Sequence, residues 1–187
     1  MVKIIKQFSE LIPFSFEEYC NLILSVAPKE DLLGITEIRF VERFSRGKKD
    51  DEAIAKYLRE HKGKTASIEV NIFNLIKDKI PKYLFEDYPE IGALFLSEII
   101  CHEVGHHAHT FKRHGVKKNN QEIFADEYAK AGYFNYLKLR RSKILLSYKW
   151  AGLNIFMFKL KDCIDFWKNR KELVKWIKEN NSGIVFP

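Results

Sequence analysis

Residues Cys101-His102-Glu103-Val104-Gly105-His106-His107-Ala108-His109 concentrate the chemistry of this chain. Two histidines four positions apart share one face of a helix, so His102 and His106 project side by side. Neutral imidazoles placed in this way can hold one tetrahedral metal ion, and zinc commonly takes such nitrogens. Glu103 points beside that ion rather than at it, which is where a general base for an activated water belongs. The plainer account is a solvated, His-rich helix end, since five of the six histidines fall between His102 and His114.

A second stretch, Asn119-Asn120-Gln121-Glu122-Ile123-Phe124-Ala125-Asp126-Glu127, bears on that choice. Glu122 and Asp126 are again four apart. A catalytic zinc takes three protein ligands and keeps one position open, so Glu122 is the candidate third ligand. Asp126, one turn on, is placed to accept the N–H of the non-ligating nitrogen of His102 and fix its ring. Asn119-x-x-Glu122 is also an N-terminal capping pattern, in which Glu122 would only close a helix.

Together, His102-Glu103-x-x-His106 and Glu122-x-x-Ala125-Asp126 resemble the gluzincin zinc metallopeptidases, and among them the small soluble minigluzincins. The resemblance covers about residues 90–135. It implies an α+β, zincin-like fold, mainly helical with a small β-sheet, in which the active-site helix is followed by a glutamate helix. It implies Zn2+ bound by His102, His106 and Glu122, with Glu103 as catalytic base and acid and Asp126 supporting His102. The implied activity is hydrolysis of peptide bonds in a peptide or protein substrate. Such enzymes also steady the oxyanion with a Tyr or His. Tyr133, two to three turns after Glu122 on roughly the same side, is the first candidate, followed by Tyr136 and His114. The alternative function is a zinc-binding regulatory or interaction protein, latent or non-catalytic. The intact Glu103 argues against it, because a purely structural site has no need of that carboxylate. A deformylase would need an upstream cysteine ligand, and the surroundings of Cys20 do not resemble one.

These residues need elements to hold them. Asp87 with Glu90 reads as a capping box and Pro89 suits a first turn, so a helix is expected through the histidines, ending near Gly115. A second helix is expected from about 121 to 141. Ser15-Phe16-Glu17-Glu18 opens a helix toward Ala27 with Phe16, Tyr19, Cys20, Ile23 and Leu24 on its core face. Ile35 to Phe44 and Thr65 to Phe73 alternate like strands. A helix is expected between them, from Asp50 or Asp51 through His61 to Gly63, and the connection would be a right-handed crossover if the two strands are parallel. The strand 65–73, if its edge is free, would pair with an extended peptide by β-augmentation. Leu75 to Phe85 reads as a short helix or turn broken at Pro81. Beyond Ser142, helices are expected over 143–160, 162–169 and 171–180, covering the catalytic helices. The last residues, Ser182 to Pro187, are candidates for folding across the cleft.

At 187 residues and 46% hydrophobic content, one globular domain over 1–187 is expected, with its catalytic segment at about 65–141 and a C-terminal helical segment at about 142–187. The net charge of +7 arises from 32 basic and 25 acidic residues, finely interspersed and without a nucleic-acid-binding signature. No nucleic acid partner is expected. Cys20, Cys101 and Cys163 are odd in number and far apart, which suits a reducing compartment, and Cys101 reads as a small buried residue. The start lacks the apolar core of a signal peptide, and no stretch suits a membrane span. A cytoplasmic protein is therefore expected.

Overall fold

The computed structural model describes residues 2–8, 12–44, 52–61, 65–112, 118–158, 175 and 186. Its four-stranded sheet has the order β1-β2-β4-β3, formed by β1 (Lys3–Gln7), β2 (Ile35–Val41), β3 (Ala55–Leu58) and β4 (Ala66–Asn71). β1, β2 and β4 run parallel, whereas β3 lies antiparallel to β4. Between β1 and β2 the chain crosses over through α1 (Phe16–Leu24). After β4 come α2 (Ile72–Asn74), continued by a π turn over Leu75–Lys79, then α3 (Lys82–Glu86), α4 (Pro89–Lys112), α5 (Lys118–Leu139) and α6 (Arg141–Phe158). This is an α+β architecture with a mixed sheet.

Alternation builds the sheet's inner face. Ile38 and Phe40 of β2 stand beside Ile68 and Val70 of β4, all four fully buried. The expected face of α1 covers them, with Phe16, Tyr19, Cys20, Ile23 and Leu24 buried. Phe14, Phe16, Phe40 and Phe85 meet there with ring centroids 4.5–6.0 Å apart. Ser15 does start α1, but its side chain makes no capping hydrogen bond.

α4 runs through the middle, touching α1, α3, α5, α6 and β3. A helix apolar on most of its circumference must be buried in this way. Gly105 and Gly132 set how close α5 comes to it. A Cβ on Gly105 would lie 2.8 Å from the Ala125 Cα and 2.9 Å from the Tyr128 Cβ. A Cβ on Gly132 would fall 2.2 Å from the Cys101 sulfur. Cys101 is thus a buried packing residue, as its neighbours in sequence suggest.

Four expectations need correction. The helix expected between the two strands is instead the strand β3 where it is described, at Ala55–Leu58; Asp50, Asp51 and Gly63 lie outside the described residues. All four β3 residues are half-buried, so neither period shows in their polarity, and pairing with β4 decides the conformation. β2 and β4 are parallel neighbours, but the described segment between them is β3 rather than a helix, so the helical crossover is the earlier β1-α1-β2 unit; among the described residues β4 is paired on both sides and the open edge belongs to β3. Glu90 does not close a capping box. Its carboxylate is buried and takes the Arg140 guanidinium of the α5–α6 corner, with the Tyr19 hydroxyl 3.4 Å away. Asn119 lies inside α5, which starts at Lys118, so it is not that helix's cap.

Beyond 158 the expected helices over 162–169 and 171–180 lie outside the described residues, apart from Lys175. α6 does pack on α4, burying Ile144 and Ala151. No helix of the described residues is long and apolar enough to cross a membrane.

Candidate metal centre

The close crossing of α4 and α5 brings the two motif stretches together. Gly105 lies between His102 and His106 in sequence, and Ala125 lies between Glu122 and Asp126, so the point of closest approach is also the site. His102 Nε2 and His106 Nε2 are 3.0 Å apart, with the rings edge to face. Glu122 Oε2 lies 3.7 Å from the first nitrogen and 3.6 Å from the second.

These separations test whether a metal ion fits. Ligand atoms about 2.0–2.1 Å from a tetrahedral ion stand about 3.3 Å from one another. The three observed distances bracket that value, whereas the two carboxylate distances are too long for hydrogen bonds. The donor set of two imidazoles and one carboxylate suits zinc. Burial, reinforced by the neighbouring His102, pushes His106 below the ordinary histidine range, which favours the neutral ring that ligation needs. His102 turns its other nitrogen, Nδ1, to Asp126 Oδ1 at 3.1 Å. A carboxylate in that place selects the tautomer that leaves Nε2 free to ligate.

Glu103 is buried beside this group. Loss of solvation pushes its carboxyl up to about 7; Glu122 adds to the rise, while a hydrogen bond from the Tyr57 backbone N–H opposes it. A carboxyl near neutrality can both take and return a proton at ordinary pH. It opens onto a cavity of about 770 Å3 shared with His102 and Asp126. Phe95, Ile99, Tyr133 and Phe134 line its apolar wall, and Ala53, Ile54 and Ala55 bring the sheet edge to it.

Tyr133 thus shares the cavity with His102 and Glu103. Burial, with Tyr148 and Glu98 close by, raises its phenol further above neutrality and keeps it a donor. Tyr136 is elsewhere: it is fully buried and faces Glu90, Arg140 and Tyr19 at the other end of the helices. His114 lies outside the described residues. Of the tail, only Phe186 is described; its ring meets that of Tyr128 at 4.5 Å between centroids, tilted by 44°, and it is not among the residues lining the cavity.

Two residues of the site give no signal in the sequence. Tyr57 reaches Glu103 through its backbone, and a backbone contact leaves no trace in residue type. His107 stands in the histidine-rich stretch, which gives no hint that it is a buried packing residue. Its Nδ1 lies 2.9 Å from the Tyr57 hydroxyl and its Nε2 lies 2.7 Å from the Leu33 carbonyl oxygen. His61, outside the cluster, is exposed.

No family model matches the chain, and neither a curated protein nor a solved structure matches it.

Proposed function

We propose that the chain is a zinc-dependent peptidase with a zincin-like arrangement, in which His102, His106 and Glu122 hold the ion and Glu103 handles the proton. The observation that carries this reading is the convergence of those three ligand atoms, all within 4.8 Å of one another, next to a buried carboxyl that opens on a cavity. A structural zinc site is closed by four protein ligands, whereas the donor set among the described residues offers three.

When bound, zinc supplies a Lewis acid that polarises a carbonyl and makes a water acidic near neutral pH. Glu103 would take a proton from the attacking water and return it to the leaving amine. Asp126 holds the His102 ring in its ligating tautomer throughout. Tyr133 supplies the neutral O–H donor to the developing oxyanion. The outward groups of β3 at Ala55 receive an extended substrate backbone, and the wall of Phe95, Ile99 and Phe134 takes a large apolar side chain of the peptide.

The test is zinc content and peptide hydrolysis on the same preparations of wild type, Glu122→Ala and Glu103→Gln. One zinc per wild-type chain is expected, lost in Glu122→Ala, with hydrolysis lost in both variants. Glu103→Gln should keep its zinc and lose activity by a factor on the order of 100 or more. Wild-type zinc binding without hydrolysis would instead support a latent or purely binding protein. Unchanged metal affinity in Glu122→Ala would remove Glu122 from the ligand set.

A further inference from the structure

Tyr57 meets α4 twice. Its backbone N–H lies on the side of the Glu103 carboxyl, whose proton affinity it lowers, and its side-chain hydroxyl lies 2.9 Å from His107 Nδ1. Glu103 and His107 are four residues apart, so one face of α4 presents both partners. The direction of the second bond follows from the third. The Leu33 carbonyl can only accept, so His107 Nε2, 2.7 Å from it, carries the hydrogen. In the neutral ring Nδ1 is then an acceptor, and the Tyr57 hydroxyl donates to it.

The strand that carries Tyr57 is four residues long and, among the described residues, pairs with β4 on one side only. Short edge strands open more readily than central ones. At the other end of the contact, Leu33 precedes Gly34, which turns the chain with φ 90°. A chain of contacts therefore runs from the Leu33–Gly34 turn through the His107 ring to the Tyr57 hydroxyl, and ends at the Glu103 carboxylate.

We infer that Tyr57 and His107 form a clamp that fixes the edge strand against α4 and so positions Glu103 for proton transfer. This inference rests on the peptidase reading for its kinetic consequence but not for its structural one. Tyr57 and His107 are positioning residues. Neither is a ligand in the metal centre, and they act through the register of β3 and the aim of one carboxylate. Misplacing a reacting group by a fraction of its bond length is costly, so a small loss of register has a large effect on rate.

Tyr57→Phe removes one hydroxyl and keeps the ring, which packs on the His107 ring at 5.2 Å between centroids. Two measurements are made on it, alongside His107→Gln, which retains a donor and an acceptor, and His107→Leu, which retains neither. The first is hydrogen exchange of the backbone amide at position 57 in the metal-free protein. Exchange should quicken by about tenfold or more in Tyr57→Phe and His107→Leu, and much less in His107→Gln. The second is steady-state kinetics of the zinc-loaded protein. In Tyr57→Phe, kcat should drop on the order of tenfold, with KM and zinc per chain unchanged, and His107→Gln should retain most of the rate. Wild-type exchange at position 57 in Tyr57→Phe would overturn the clamp whether or not the protein hydrolyses peptides. Quickened exchange in Tyr57→Phe, beside a wild type that proves inactive, would keep the clamp and discard the peptidase. Quickened exchange with an unchanged kcat would show that the clamp holds the strand without serving Glu103, and the positioning role would be overturned.

Discussion

In the proposed chemistry Glu103 combines two properties that pull against each other: it is buried, and it must ionise to take a proton. Burial pushes its carboxyl up to about 7 from an ordinary value of 4.5 in the metal-free chain. A carboxyl raised in this way stabilises the folded state fully below the unfolded value, where both states are protonated. As pH rises from about 4.5 to about 7, the unfolded chain gives up its proton while the folded one keeps it, and that stability is lost. Metal-free wild type should therefore lose stability relative to metal-free Glu103→Gln across this window, by up to about 3 kcal/mol, with no further change above it. Urea denaturation of both proteins from pH 4 to 8 checks this. Parallel curves would mean that Glu103 ionises as freely in the fold as out of it.

Elements place these residues, and the contact of α4 with α5 matters most. The axial distance between the two helices is set where Gly105 lies against Ala125 and Tyr128, and no side chain there has room to grow. Gly105→Ala sets a new methyl 2.8 Å from a backbone atom, which cannot turn aside as a side chain would. The helices must separate, and Glu122, one turn from Ala125, moves away from both imidazoles. A cost of about 1–3 kcal/mol in stability is expected from overpacking, together with weaker zinc binding. Calorimetric titration with zinc beside thermal denaturation separates the two effects. A variant that loses stability but binds zinc as wild type would show that Glu122 can follow the ion.

At the scale of the whole molecule, one buried ion pair ties remote parts of the chain. Glu90 begins α4, Arg140 stands between α5 and α6, and Tyr19 belongs to α1; all three meet at one end of the helices, away from the metal centre. Removing the guanidinium leaves a buried carboxylate without its cation. Arg140→Met should cost about 3–5 kcal/mol, whereas Arg140→Met combined with Glu90→Leu should recover much of the loss. Denaturation midpoints measure both, and zinc stoichiometry should stay at the wild-type value in either protein. An Arg140→Met variant as stable as wild type would mean that solvent replaces the partner.

Local patterns in the sequence determined much of this protein. The four-residue spacings of His102 with His106 and of Glu122 with Asp126 follow from helical geometry alone, and so did the core face of α1 and the alternation of β2 and β4. Single-sequence patterns hold such information because it depends only on neighbours along the chain. The tertiary structure decided what depends on neighbours across space. β3 is a strand because β4 needs a partner, although its own residues show no preference. Glu90 joins an ion pair rather than a cap because Arg140 arrives from fifty residues away. His107 packs rather than ligates because a tyrosine and a carbonyl occupy its two nitrogens. The effect of Tyr57 on the Glu103 carboxyl comes from a backbone N–H, which every residue but proline possesses, so only folding reveals it.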